Sequence, residues 1–371
     1  MAADEAAGRA GRDAAEAAAA LEPENVALLD AGGMCAAIAE LPRQLTAGYA
    51  VAREALAGGA ASGRPAALVA CGMGGSAIGA DLVLACLPGL PVPATVVRGY
   101  RIPAWVDEST LLVAASYSGQ TEETLSCVHA ALERGCRPVC IASGGALAEL
   151  AAAHDLQLVR VPGGGQPRAA VGYLSAPVLA ALEAAELAHD VAAQVDEAAA
   201  VLRAGNERFG PARRPGDGNA AKALALRLYR RQTVVYGAGL TAPVARRWKG
   251  QVNENAKAPA FWNELPELNH NELMGWTSLP HVASSTVAVF LDDPHADPRL
   301  ARRAELTAAE LQARGVAVER ARAEGESPLA RLFSLVQFGD YVSFYLALLY
   351  GVDPSPVQAI QDFKAKLSGP A

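Results

Sequence analysis

Residues 66–79 read Ala66-Ala67-Leu68-Val69-Ala70-Cys71-Gly72-Met73-Gly74-Gly75-Ser76-Ala77-Ile78-Gly79. The apolar run 66–71 has strand length and ends in glycines, and residues 77–86 then read as a helix. A strand passing through a glycine turn into a helix is the repeating unit of a parallel α/β sheet. Working outward, 94–97 and 110–116 read as strands and 121–134 as a helix. Glu122 and Glu123 fall in its first turn, where they suit the helix dipole. A strand at 138–142, a helix at 146–153 and a strand at 156–161 follow. Residues 205–219 are rich in Gly, Pro and charge and read as a linker. The rhythm then resumes: helix 220–231, strand 233–236 ending at Gly237-Ala238-Gly239, and helix 243–257. Strand 284–291, helix 298–314, strand 316–320 and helices 329–350 and 357–367 complete it. The expected fold class is α/β: two doubly wound domains, each a central parallel sheet flanked by helices. The expected division is a leader at 1–25, an N-terminal domain at 26–204, the linker at 205–219 and a C-terminal domain at 220–371.

Composition agrees. At ~100–200 residues per domain, 371 residues suit two domains. Hydrophobic residues at 51% and charged residues at 19% exclude wholesale disorder. The net charge of −7 argues against general nucleic-acid binding but leaves a local anion pocket open. Apolar stretches such as 110–115 and 284–291 are strand-length, so no membrane span is expected. Asp4, Glu5, Arg9, Arg12, Asp13 and Glu16 interrupt the Ala-rich start, which lacks the apolar centre of a signal peptide. A cytoplasmic location is expected. Cys35, Cys71, Cys86, Cys127, Cys136 and Cys140 form no CxxC pair and read as reduced structural thiols.

Four segments carry chemistry. In the first, Gly74 and Gly75 let backbone N–H groups approach an anion at a helix N-terminus, and Ser76 adds a hydroxyl. A dinucleotide site fits the spacing poorly, because the next strand ends at Arg98-Gly99 with no acidic residue for a ribose. A tight turn of packed glycines is the plain alternative. The second segment is Ser116-Tyr117-Ser118-Gly119-Gln120-Thr121-Glu122-Glu123-Thr124, again at a strand end entering a helix. Ser116, Ser118 and Thr121 supply three hydroxyls where capping needs one, which favours a phosphate cradle. Neighbouring strand ends of a doubly wound sheet open onto one crevice, so both loops can face one ligand.

The third segment, Arg247-Trp248-Lys249-Gly250-Gln251-Val252-Asn253-Glu254-Asn255-Ala256-Lys257, flanks a carboxylate with two amides. A solvated helix end with a Glu–Lys pair is the plain alternative. The fourth, residues 259–272, sets His270 among Asn269, Asn271 and Glu272, a polar setting where an imidazole can act near neutral pH.

These four motifs together resemble the bifunctional phosphoglucose/phosphomannose isomerases, which are built from two sugar-isomerase (SIS) domains. The resemblance runs from about Leu28 to Leu367. Gln120 stands where that family usually has Asn. The resemblance implies aldose–ketose isomerisation of a hexose 6-phosphate. Gly74, Gly75, Ser76, Ser116, Ser118 and Thr121 would hold the phosphate. Glu254 matches the base that moves a proton between C1 and C2 through a cis-enediolate. His270 matches the ring-opening acid/base, which in the family comes from the partner subunit of a homodimer. Arg168, in Gln166-Pro167-Arg168-Ala169-Ala170, matches an arginine that stabilises the enediolate. Lys364 matches a C-terminal lysine near the sugar, with Lys366 two residues on.

Such chemistry needs a carboxylate base, a proton shuttle and a fixed cation, and no metal or redox cofactor. His129, His154, His189, His281 and His295 are scattered without ligand spacing, so no metal site is expected. A non-catalytic sugar-phosphate-binding regulator is the rival; it would need neither Glu254 nor His270. A sugar-phosphate amidotransferase would need an N-terminal cysteine nucleophile, and the chain starts Met-Ala-Ala-Asp.

Overall fold

The computed structural model describes residues 18–60 and 63–367. Most of the expected leader lies outside them. Three helices open the described chain: α1 (Pro23–Leu29), α2 (Met34–Ala39) and α3 (Leu41–Ala55). The first sheet follows, with β1 (Ala67–Cys71), α4 (Gly74–Ala85), β2 (Ala94–Val97), β3 (Thr110–Ala115), α5 (Glu122–Glu133), β4 (Val139–Ala142), α6 (Gly145–Ala153) and β5 (Leu158–Arg160). All pairings are parallel, in the order β2-β1-β3-β4-β5, with Cys71 opposite Ala114. The strand order reverses at β1 and β3, so a crevice opens beyond their carboxyl ends.

Both faces of this sheet are covered, as parallel strands require. Alternation decides which residue faces which layer. Leu68, Leu111, Val113, Val139 and Ile141 pack in one buried cluster; Val69, Leu112, Ala114 and Cys140 pack in another beneath α5 and α6.

Helix α7 (Val171–Ala184) packs on the first face, and α8 (Val191–Phe209), packed against α3, leads to the second half. Neither is announced by the βα rhythm. Helix α7 is buried along almost its whole length, so it shows no polar stripe to read. The expected linker begins inside α8: residues 205–209 are its last turn, and the turn proper starts at Gly210.

The second sheet is built from α9 (Ala220–Leu228), β6 (Gln232–Ala238), α10 (Ala242–Asn255), β7 (Ala260–Leu265), α11 (Glu272–Gly275), α12 (Pro280–Ser285), β8 (Thr286–Asp292), α13 (Pro298–Ala313) and β9 (Ala317–Arg322). Its order is β7-β6-β8-β9, again wholly parallel. Strand β7 is an edge strand inside the fourth chemical segment, where its mixture of aromatic and polar residues hides a strand pattern.

Helix α14 (Pro328–Leu349) then runs through the middle of the molecule, and α15 (Gln358–Leu367) lies exposed at the end. By length and hydropathy α14 is long enough to cross a membrane, but 94% of its most apolar window is buried inside the protein. Its apolarity belongs to the core. One continuous cluster, from Leu21 to Leu349, includes residues of both sheets and of α14.

The first described residues are fastened to this core by a buried lysine. Lys222 Nζ donates to the carbonyls of Leu21 at 2.6 Å and Pro211 at 2.9 Å and lies 5.2 Å from the Tyr345 ring centroid. Burial pushes its ammonium from the ordinary 10.5 down to about 8. The unfolded chain therefore holds this proton more tightly than the folded one between those values. Its contribution to stability rises with pH across that window and is least below it. Lys222→Met is expected to flatten the rise in thermal midpoint between about pH 8 and pH 10, measured by calorimetry beside the parent.

Candidate active site

Strand β1 delivers its glycine turn to the crevice. Gly74 adopts φ +50°, a left-handed conformation open to glycine at little cost. At Gly75 a Cβ would stand 2.7 Å from the carbonyl oxygen of Pro167, so the turn and the short 3₁₀ helix Pro167–Ala169 touch backbone to backbone. Ser76 is buried, and its Oγ accepts from the Tyr117 N–H at 3.2 Å, tying the β1 loop to the β3 loop. In that second loop Ser116 Oγ donates to Thr121 Oγ1 at 2.8 Å and accepts from the Thr121 N–H at 3.3 Å. Ser118 Oγ accepts from the Gln120 N–H at 3.3 Å. The hydroxyls thus sit at adjacent strand ends, already oriented by their own loops.

Helix α10 crosses the opening from the other half. Glu254 lies in its last turn, where a carboxylate meets the negative end of the helix dipole. Its side chain is 34% exposed and shares a cavity of about 310 Å³ with Gly74, Gly75 and Arg168. The cavity does not reach Ser76, Ser116, Ser118 or Thr121; of the expected phosphate-holding residues only Gly74 and Gly75 line it. Arg98, Arg246, Arg247 and Lys249 add positive charge to its lining; Asp81 pairs with Arg98 and, at 3.8 Å, with Arg246.

Arg168 is the fixed cation of this site. Its side chain is only 4% exposed. Nε donates to Asn255 Oδ1 at 2.7 Å, and Nη2 to the carbonyls of Pro354 at 2.7 Å and Ser355 at 2.9 Å. Nη1 donates to Gln166 Oε1 at 3.3 Å and meets Glu254 Oε2 at 3.5 Å. Burial lowers its pKa, with the Glu254 carboxylate opposing; an arginine remains charged regardless. The edge left facing the cavity is the one beside Glu254.

The two amides around Glu254 serve its backbone and its partner. Asn255 Nδ2 donates to Ser343 Oγ at 3.0 Å while its oxygen holds Arg168, and Asn253 Nδ2 donates to the Ala258 carbonyl at 2.8 Å. Lys257 is not a solvated partner for the Glu254 carboxylate. It sits at φ +56°, a helix-ending position that favours glycine. Its Nζ donates to the carbonyls of Glu254 at 2.5 Å, Pro354 at 3.0 Å and Pro356 at 2.6 Å. It closes α10 and binds the strap at 354–356 that also holds Arg168. The sequence pattern does not disclose this role; its one signal is a lysine in a glycine position after Asn-Glu-Asn.

His270 and Lys364 do not join this group. His270 ends a 3₁₀ turn, Glu267–His270, and is exposed. Its neighbours are clamped: Asn269 Nδ2 donates to Thr307 Oγ1 at 2.8 Å, and Glu272 accepts from Tyr236 and, at 2.6 Å, from Asn263. The turn therefore holds His270 at the surface, outside the lining of the cavity that Glu254 shares. Lys364 and Lys366 lie on α15, every residue of which is exposed, and neither lines the cavity. Among the described residues no three His, Cys, Asp or Glu side chains converge to hold a metal ion.

Gly75→Ala tests the contact between loop and turn. The added methyl must displace the turn that carries Arg168, since backbone is all it meets. We expect kcat to fall about tenfold or more, because a displacement of ~1 Å is costly in a positioned site. The fold should persist, as judged by circular dichroism.

Residues 217–367 match the family described as "Bacterial phospho-glucose isomerase C-terminal SIS domain". The chain is 41% identical over 303 residues to a bifunctional phosphoglucose/phosphomannose isomerase of Caldicellulosiruptor bescii, covering 81% of this chain and 89% of that one. It is 38% identical to the enzyme of the same name from Aquifex aeolicus, covering 81% and 90%. A crystal structure of a hypothetical protein from Thermus thermophilus superposes with a TM-score of 0.72 at 19% identity, covering 99% of this chain and 97% of that one, which shows the shared fold. With two parallel sheets, a glycine turn facing a glutamate–arginine pair, and these identities over nearly the whole length of its relatives, the chain belongs to the bifunctional phosphoglucose/phosphomannose isomerase family.

Proposed function

We propose that the protein interconverts glucose 6-phosphate, and also mannose 6-phosphate, with fructose 6-phosphate through a cis-enediolate. The observation that carries this reading is the pair Glu254–Arg168, 3.5 Å apart at the wall of a cavity that also opens on Gly74 and Gly75. The glycine turn and the hydroxyls of Ser76, Ser116, Ser118 and Thr121 hold the phosphate with neutral donors. Glu254 removes the proton from C2 of the open-chain aldose. The C2–H electrons become the C1–C2 double bond, and negative charge moves to the former carbonyl oxygen on C1. Arg168 Nη1 faces that charge from a fixed position and needs no reorganisation to stabilise it. The O2 proton passes to O1, and return of the abstracted proton from Glu254 to C1, with O2 becoming the carbonyl, gives the ketose.

Ring opening needs a second proton carrier. We assign it to a His270 contributed across the interface of a homodimer. A histidine held at the surface on a clamped turn supports this, as do large apolar side chains exposed nearby in sequence. Phe261 is 56% exposed, Met274 73% and Leu279 52%, and on α15 Phe363 is 64% exposed. Covering that surface with a second copy buries them. Lys364, on the same exposed helix, is proposed to approach the sugar by the same assembly.

The test is formation of fructose 6-phosphate from glucose 6-phosphate, and separately from mannose 6-phosphate, in chelator-treated buffer. Turnover of both is expected. Binding of the sugar phosphates without turnover of either would favour a regulator instead.

A further inference from the structure

Beside the Glu254–Arg168 pair lies a second charge pair, almost fully buried, whose Arg247 also lines the cavity. Arg247, on α10, is buried; its Nη2 donates to both oxygens of Asp340, at 2.9 and 2.7 Å, and to the main-chain carbonyl of Arg168 at 2.9 Å. Gln251, one turn on, donates to Asp340 Oδ1 at 2.7 Å. Asp340 is 3% exposed on α14, the helix buried in the core that both sheets share. Two neighbouring guanidiniums, Arg168 and Arg247, are thus buried together. Such burial is costly unless a counter-charge is present and well bonded. Asp340 is that charge, and through Arg247 it also grips the backbone of the residue that faces the substrate.

We propose that Asp340 is a positioning residue for the isomerase reaction, acting through Arg247 on the carbonyl of Arg168 and on the charge balance around Glu254. The proposal rests on the assignment of Glu254 and Arg168 to the chemistry. The charged groups that surround Glu254 are Arg246, Arg247, Lys249 and Lys257 of α10 and its end, Arg168 of the 3₁₀ turn, Arg98 and Asp81 across the cavity, Asp353 before the strap and Asp340 of α14. Asp340 is the one among them that is buried and negative, so removing its charge leaves Arg168 and Arg247 less compensated.

Asp340→Asn keeps the size and loses the charge. We expect kcat to fall about 10- to 100-fold, the usual size for a group that orients others. KM should change little, so the loss should appear in kcat rather than in binding. The double variant Arg247→Met with Asp340→Leu removes both charges together, which a core often tolerates. It should be as stable as the parent yet remain slow, because the grip on the Arg168 carbonyl is gone. Should Asp340→Asn not fold, this pair decides the matter. A folded double variant with the parent's kcat, or an Asp340→Asn enzyme with an unchanged kcat, overturns the proposal. Full activity in Glu254→Gln would instead overturn the assignment on which it rests, so the two failures are distinct.

Discussion

Glu254→Gln is expected to lower kcat by ~10²–10⁴, the range contributed by a positioned general base. Glutamine keeps the shape of the side chain and an oxygen within reach of Arg168, so the cavity persists. What it lacks is a lone pair basic enough to take the C2 proton. Binding of glucose 6-phosphate, followed by calorimetry, should survive, because the phosphate is assigned to the β1 and β3 loops rather than to the carboxylate. The structure allows a further discrimination. Arg168 is held on its remaining donors by Asn255, Gln166 and the carbonyls of Pro354 and Ser355. Loss of the Glu254 charge therefore leaves it in place, and stability should change little. A variant that unfolds would mark Glu254 as a structural counter-ion. A variant that folds, binds and does not turn over marks it as the base.

His270→Ala should also be nearly inactive, and mixing it with Glu254→Gln should restore activity. Each chain alone lacks one group at every site. In a mixed dimer whose sites are shared, one site combines an intact Glu254 with an intact His270, and the other lacks both. With random exchange about half of the dimers are mixed, so activity should recover to about a quarter of the parent value. The surface placement of His270 on its clamped turn motivates this expectation. No recovery after verified subunit exchange would argue that each chain completes its own site. The same mixture, read by sedimentation, reports whether the chain forms dimers at all.

The alternation of strand, glycine turn and helix is legible because each parallel strand is a short apolar run and each turn carries its own punctuation. Strands 67–71, 110–115 and 139–142 lie where the apolar runs place them. Helices α3, α7 and α8 are not legible in the same way, and for α7 the cause is physical: a helix buried on all sides shows no amphipathic period. Strand β7 is hidden for the opposite reason, since this edge strand carries aromatic and polar side chains where a core strand carries valines. Of the site, Glu254 and Arg168 stand out in their motifs, and folding brings them to 3.5 Å although 86 residues separate them. The support beneath them is invisible in the sequence. Asp340, Ser343 and the strap at 354–356 lie far along the chain, the first two in a helix that reads as plain core. Only folding brings their polar groups to Arg247, Asn255 and Arg168. Lys257 is visible but reads as a surface partner; its backbone conformation, not its neighbours in sequence, assigns it to the strap.

The most direct test of Glu254 as the proton-transferring base is exchange with solvent. Fructose 6-phosphate is incubated in deuterium oxide with the parent enzyme and with Glu254→Gln, and the sugar phosphates are examined by proton NMR. Deuterium is expected at C2 of the aldose formed by the parent, with no incorporation above the uncatalysed background for the variant. Incorporation by Glu254→Gln at the parent's rate would contradict the assignment and place the base elsewhere in the cavity.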